Sequence, residues 1–287
     1  MSRIAYVNGR YIPHAQASVH IEDRGYQFAD GIYEVCEIRE GYIIDETGHL
    51  DRLERSLHEL EIAKPMSRAA LKLVMKNLIR KNRINSGMIY LQVTRGVAPR
   101  DHVFPGPHVA PSIVMTAKSV ASTVGDAKAS KGVAVISLPD NRWDRVDIKT
   151  VSLLPNVLAK QKARETGAFE AWFVDGDDKV TEGSSTNAWI INQDGVLITR
   201  PAEHGILRGI TRATVLRVAE AHNIPVEERS FSVEEAQQAR EAFITAASTI
   251  VMPVVKVNDA IIGNGQPGSI ATELRQLFHQ HAEHIKL

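Results

Sequence analysis

Residues 31–62 read GIYEVCEIREGYIIDETGHLDRLERSLHELEI, and the hydrophobic period changes partway along them. In 31–45 two β-prone runs flank Glu40-Gly41 at a turn, which predicts a hairpin. From about Leu50 the spacing changes: Leu50, Leu53, Leu57 and Leu60 recur at helical intervals and predict an amphipathic helix, with Arg52 and Arg55 off the leucine stripe. Strands give way to a helix with no repeating βαβ unit, the pattern of an α+β fold.

Working outward, AYVNGRYIP (5–13) places Asn8-Gly9 between two β-prone runs, a strong hairpin signal. Downstream, a second helix is predicted over 68–82 and a strand over MIYLQVT (88–94), followed by the loop RGVAPRDHVFPGPHVAP (95–111). Loops of that length in compact domains are uncommon and often functional. The stretch SVASTVGDAKASK (119–131) is small and polar and reads as a domain boundary. It predicts a small N-terminal α+β domain over 1–120, a linker over 121–126 and a large C-terminal α+β domain over 127–287, in line with two domains of roughly 150 residues. In the second half, GVAVISLP, VDIKTVS, AFEAWFVD, KVTEG, AWIIN, VLITR, FITAAS and PVVKVNDAII read as strands. LPNVLAKQKARETG reads as a helix that Pro155 starts and Gly167 ends; GITRATVLRVAEAHN and SIATELRQLFHQHAEH are further helices, the former with Thr211 as an N-cap candidate.

Lys+Arg and Asp+Glu number 34 each, so the chain lacks the basic field of a nucleic-acid binder and has no acidic tail. Any anion it binds is held by a few placed groups. Cys36, the one cysteine, allows neither an intramolecular disulfide nor a cysteine zinc site and reads as a small buried apolar residue. His279 and His281 diverge by about 200° on a helix; His281 and His284 could share a face but are too few for a metal site, and no metal is predicted. The N-terminus has no apolar signal core, and the longest uncharged stretch, Ala242 to Val255, is too short to span a membrane and contains Pro253. The expectation is a cytoplasmic protein. Gly263-Asn-Gly265-Gln-Pro-Gly268 matches the letters of a dinucleotide fingerprint, but Pro267 removes a needed N–H and no βαβ unit follows.

Other positions carry chemistry only in context. Alternation sets Val146 and Ile148 on one face of a short strand and Arg145, Asp147 and Lys149 on the other, so pattern alone makes Lys149 a solvated lysine. A nucleophilic role needs partial burial. Glu182, followed by Gly183 and three hydroxyl residues, fits a surface turn or the lining of a polar pocket. Gly209-Ile210-Thr211 opens a helix whose free N–H groups and dipole suit a phosphate, as at any helix start.

The order of these signals is more specific than any one of them. Asp23-Arg24-Gly25-Tyr26-Gln27-Phe28, Asp30-Gly31-Ile32-Tyr33-Glu34-Val35, His49-Leu50-Asp51-Arg52-Leu53, Val93-Thr94-Arg95-Gly96, Pro99-Arg100-Asp101-His102, Asp147-Ile148-Lys149, Thr181-Glu182-Gly183-Ser184-Ser185 and Gly209-Ile210-Thr211-Arg212 follow one another. Together they resemble the fold-type IV pyridoxal-phosphate aminotransferases, and within that family its D-amino-acid-specific members. The likeness runs from about residue 3 to the final helix.

The resemblance implies a homodimer that transfers an amino group from D-alanine and other D-amino acids to 2-oxoglutarate, giving pyruvate and D-glutamate through pyridoxamine phosphate. It implies that Lys149 forms the Schiff base with pyridoxal 5′-phosphate and moves the Cα proton, and that Glu182 pairs with the pyridine nitrogen. Arg52, the Ile210 and Thr211 backbone N–H groups and the Thr211 hydroxyl would hold the phosphate. Relatives often carry a threonine in a later phosphate turn where this chain has Ala247; its backbone N–H could still donate, and Ser248 could substitute for the missing hydroxyl. Tyr33, Arg100 and His102 would trap the substrate carboxylate, the last two reaching in from the neighbouring subunit, and so present the Cα–H of the D-enantiomer. Branched-chain enzymes usually have a tyrosine where this chain has Leu154. The family alternatives are an L-branched-chain or (R)-amine transaminase and aminodeoxychorismate lyase. If Lys149 is solvated, a non-catalytic binding protein is the alternative outside the family.

Overall fold

The computed structural model describes residues 3–203 and 205–287, and the chain divides into two compact units. The first holds residues up to Ser122 together with Ile148–Ser152 and Glu283–Leu287; the second holds Thr123–Asp147 and Leu153–Ala282. Each has its own sheet and core, so the architecture is α+β.

In the first unit, β1 (Ile4–Val7) and β2 (Arg10–Pro13) form the hairpin expected at Asn8-Gly9, both of which take positive φ. The short α1 (Arg24–Phe28), β3 (Gly31–Arg39), β4 (Tyr42–Ile44), α2 (Glu46–Glu59), α3 (Arg68–Lys81), β5 (Gly87–Thr94) and β6 (Ser112–Ser119) follow. Leu50, Leu53 and Leu57 of α2 are buried in one cluster with Ile32, Cys36 and Ile38 of β3. Each such leucine contributes about 1.5–3 kcal/mol by leaving water. Arg52, expected beside the stripe, is itself buried. Burial pushes the Cys36 thiol well above its ordinary range, so it is an apolar filler there.

The second unit contains α4 (Ser122–Ala129, beginning at the boundary), β7 (Val133–Pro139), α5 (Leu154–Glu165), β8 (Glu170–Val174), β9 (Val180–Gly183), β10 (Asn187–Ile191), β11 (Leu197–Thr199), α6 (Ile210–Ala221), β12 (Val226–Glu228), α7 (Val233–Gln237), β13 (Glu241–Ala246), β14 (Ile250–Val257), β15 (Ala260–Ile261) and α8 (Ser269–His281). Its sheet runs β12-β11-β10-β13-β14-β7-β8-β9, with β15 added to β14; the β14/β7, β7/β8 and β11/β12 pairs are parallel. The last strand of the chain, β16 (His284–Lys286), belongs to the first unit and completes an antiparallel sheet ordered β16-β4-β3-β5-β6-β1-β2.

The structure corrects several expectations. The predicted linker 121–126 is mostly the start of α4. The domain expected over 127–287 gives up Ile148–Ser152 and its last five residues to the first unit, because both segments hydrogen-bond to that unit's strands. VDIKTVS is irregular, with a turn at Val146 and Asp147 and bends beyond it, not an alternating strand. It touches β3 through one isolated bridge, Ile32 to Thr150, flanked by Tyr33 N–H to Lys149 O at 3.0 Å and Val151 N–H to Gly31 O at 3.0 Å. Thr211 is not the N-cap of α6; Gly209 is, and no side chain caps it. His284 lies in β16, so the helical face it was to share with His281 does not exist. Strand β6, with Ile113, Met115 and Ala117 buried alternately, was legible in the sequence but not predicted. Among the described residues no helix is long and apolar enough to cross a membrane.

Candidate active site

In the first unit, β3 presents alternate residues to opposite sides. Ile32, Glu34, Cys36 and Ile38 are fully buried toward the core, while Tyr33 is half-buried on the other face. Placing a glutamate in the apolar register requires a partner, and α2 supplies two. Arg52 donates Nε to Glu34 Oε1 at 2.7 Å and Nη2 to Oε2 at 2.9 Å, and His49 Nδ1 lies 2.8 Å from Oε2. Burial alone would raise the Glu34 carboxyl, but Arg52 and then His49 outweigh it and hold the group well below the usual carboxylate range. Glu34 and His49 were not singled out in the sequence. The signal available was a charged residue on the buried phase of an alternating strand.

Lys149 is half-buried, and among the described residues its ammonium forms no ion pair. Its Nζ sits 4.3 Å from the centroid of the Tyr33 ring, and its backbone N–H donates to Ser56 Oγ of α2 at 3.4 Å. Tyr33 stacks on Tyr90 with centroids 5.7 Å apart. Burial, then the neighbouring Tyr33, pushes the Tyr90 phenol up to about 12. The half-buried position departs from the solvated face that alternation suggested, and among the described residues no carboxylate pairs with the amine.

Arg100 and His102 lie exposed in the long loop, both against Phe28: the guanidinium carbon is 4.8 Å from the ring centroid, and the imidazole centroid 5.3 Å. Buried Arg24 anchors that loop by donating Nη1 to Asp101 O at 2.5 Å and Nε to Asp30 at 2.8 Å. Arg95 also clamps Asp30 and stacks 3.6 Å from the Phe104 centroid.

In the second unit, Glu182 is at the end of β9 and buried, not in a surface turn. Its Oε1 accepts from Arg142 Nη1 at 2.5 Å, and its Oε2 from Asn187 Nδ2 and the Leu207 N–H, each at 3.1 Å. Asn187 also donates to Leu207 O at 3.0 Å, which ties Glu182 to the loop leading into α6. Gly209, two residues on, must lack a side chain, because a Cβ there would meet Asn187 Oδ1 at 2.0 Å. The hydroxyls after Glu182 converge on one carboxylate: Ser184, Ser185 and Thr186 all donate to fully buried Glu170, which also pairs with Lys160 at 3.2 Å. Thr211 is buried in the first turn of α6, and Ala247 sits half-buried in the turn joining β13 to β14, with exposed Ser248 beside it. Arg275 donates to Thr249 O and Val251 O, both at 2.7 Å, and steadies that turn. Leu154 is exposed at the start of α5.

Residues 31–257 match the model of amino-transferase class IV. The chain is 39% identical over 278 residues to the D-alanine aminotransferase of Staphylococcus haemolyticus, covering 97% of each. The chain belongs to the class IV aminotransferases. It is also 39% identical to the Listeria monocytogenes D-alanine aminotransferase, over 95% of this chain and 93% of that one. The solved branched-chain amino acid aminotransferase of Escherichia coli shares the fold at a TM-score of 0.89 and 22% identity, over 98% of this chain and 94% of that one. This class IV enzyme is a pyridoxal-phosphate-dependent aminotransferase.

The donor set fits that cofactor. Taken one at a time, a primary amine that forms no ion pair among the described residues suits its aldehyde, a carboxylate that accepts from Arg142, Asn187 and the Leu207 N–H suits its basic ring nitrogen, and an uncapped helix start with a threonine in its first turn suits its phosphate.

Proposed function

We propose that this aminotransferase works as a cytoplasmic homodimer that moves an amino group from D-alanine and other D-amino acids to 2-oxoglutarate, giving pyruvate and D-glutamate. The observation that carries the chemistry is the half-buried Lys149 amine, 4.3 Å from the Tyr33 ring centroid and without a carboxylate partner among the described residues. The choice of substrate is supported by near full-length likeness to D-alanine aminotransferases and by the pairing of Arg100 with His102.

Pyridoxal 5′-phosphate, when bound, supplies an electron-withdrawing ring that accepts the electrons left at Cα. Lys149 would anchor it and, as a free amine, would take the Cα proton at Nζ and deliver it to the cofactor carbon that bore the aldehyde. Glu182 holds a proton on the ring nitrogen by charge. Arg52, the Ile210 and Thr211 amides, the Thr211 hydroxyl and the Ala247 amide bind the phosphate. Ala247 offers a main-chain donor where a threonine would add a hydroxyl. Tyr33, Arg100 and His102 bind the substrate carboxylate. Arg100 does so with two parallel N–H bonds, and fixing that end of the molecule decides which substituent of Cα faces Lys149.

Single-turnover mixing of the holoenzyme with D-alanine, L-leucine or an (R)-amine tests this assignment. D-alanine is expected to discharge the cofactor's visible band fastest, with D-glutamate formed when 2-oxoglutarate follows. Faster discharge by L-leucine or the amine refutes the substrate, and pyruvate release from aminodeoxychorismate without an amino acceptor points to the lyase instead.

A further inference from the structure

The carboxylate assigned to the ring nitrogen has an unexpected neighbour. Arg142 Nη1 is 2.5 Å from Glu182 Oε1, its side chain is 5% exposed, and its guanidinium lies 4.5 Å from the Phe173 ring centroid. A carboxylate closed on a guanidinium is a neutral pair, and a neutral pair is a poor counter-ion for a pyridinium. Left at that, Arg142 would work against the role proposed for Glu182.

Asp140 changes the balance. It follows β7 directly, fixed by its N–H donating to Val174 O of β8 at 2.8 Å. Arg142 gives Asp140 the fork of its guanidinium, Nε to Oδ1 at 2.9 Å and Nη2 to Oδ2 at 2.7 Å, and keeps Nη1 for Glu182. Thr181, beside Glu182 on β9, donates Oγ1 to Asp140 Oδ2 at 2.9 Å. Burial alone would raise the Asp140 carboxyl, but the hydrogen bonds and charge of Arg142 overcome it and hold the group below its ordinary value, so it is ionised at neutral pH. The cluster of Asp140, Arg142 and Glu182 thus carries one net negative charge.

Resting on the reading that Glu182 faces the ring nitrogen, we infer that Asp140 is a positioning residue of the cofactor site. By taking up the charge of Arg142, it leaves Glu182 with a net negative charge toward that nitrogen. The triad, and not Glu182 alone, keeps the nitrogen protonated. Arg142 supplies rigidity: its fork to Asp140 and its stacking on Phe173 set the third donor of the Glu182 cradle in place.

The test loads the full-length enzyme with pyridoxal phosphate labelled with ¹⁵N in the ring and follows the nitrogen's chemical shift against pH, a readout independent of turnover. D140N leaves a neutral Arg142–Glu182 pair, and the protonation midpoint is expected to fall by about one pH unit. R142Q removes the cation from Glu182; even with Asp140 then taking up a proton, Glu182 faces the nitrogen with no guanidinium beside it, and the midpoint is expected to rise. Opposite shifts from two variants that each remove support from Glu182 are the mark of charge; loss of orientation alone lowers both. A D140N midpoint within about 0.2 pH units of wild type, or equal falls in both variants, overturns the proposal. Should D140N not fold, the sign of the R142Q shift decides. E182Q separates the two levels: a large fall with E182Q but none with D140N sinks the Asp140 role and leaves Glu182 standing, whereas no change with E182Q removes both.

Discussion

Glu34→Gln is the substitution with the most exacting consequence. Glu34 is fully buried on β3, and its carboxylate takes two hydrogen bonds from Arg52 and one contact from His49. The variant keeps the volume and one acceptor oxygen but takes the Glu34 charge away from the buried Arg52 guanidinium. Removing one partner of a buried pair costs about 3–5 kcal/mol, and the retained acceptor offsets part of that, so a loss of about 2–4 kcal/mol is expected near pH 7.5. The pH dependence gives the sharper test. The folded carboxyl is held well below its ordinary 4.5, so its stabilisation is fully present above about pH 4.5 and is lost as pH falls toward the folded value. The difference between wild type and variant is therefore expected to be flat from about pH 8 to about pH 5 and to shrink below about pH 4.5, by at most about 1.4 kcal/mol per pH unit. Urea unfolding followed by circular dichroism at a series of pH values measures it. A variant as stable as wild type near neutrality, or a difference that grows on acidification, refutes the account of Glu34 as an ionised partner of Arg52.

Other outcomes follow from the site. Lys149→Ala is expected to abolish multiple turnovers of D-alanine while the protein stays folded; sustained turnover would show that the wrong amine has been named. Glu182→Lys is expected to retain pyridoxal phosphate but transaminate at least about 100-fold more slowly, because a cation opposes protonation of the ring nitrogen, and near-normal rates would count against that contact. Arg100→Ala is expected to raise KM for D-alanine by about tenfold or more, the loss of a charge-assisted carboxylate bond, with little effect on a simple amine; equal losses on both break the carboxylate trap. Gly209→Ala drives a Cβ against Asn187 Oδ1 at 2.0 Å and is expected to destabilise by about 1–3 kcal/mol and to weaken cofactor retention during dialysis. Unchanged retention would mean that Asn187 yields without disturbing Glu182.

Local signals were read well where the physics is local. Asn8-Gly9 and Glu40-Gly41 take the positive φ values that a two-residue hairpin turn requires, and the leucines of α2 face the sheet as their spacing demands. Lys149 shows the opposite case. Its alternation suggested a strand with a solvated lysine, yet it lies in an irregular segment and is half-buried. What shelters it is a contact with β3, more than a hundred residues earlier, which no window of sequence contains. The end of the chain was misread for the same reason: His284 continues a helical pattern locally, but pairing with Ile44 on β4 makes it a strand residue.

The sequence by itself determined the α+β class, the hairpins and principal helices, and, through an ordered set of motifs, the residue types able to hold a phosphate, a basic ring nitrogen and a carboxylate. Tertiary structure alone decided which of those residues lose their water and which charges they meet when they do. It put Glu34 beneath Arg52 and Arg142 between Asp140 and Glu182. The physical reason is range: turn conformations and side-chain periods are set by neighbours a few positions away, whereas burial and ion pairing depend on segments that only strand pairing brings together. The balanced charge of the whole chain therefore said little about the site, where single ion pairs between distant residues set the local field.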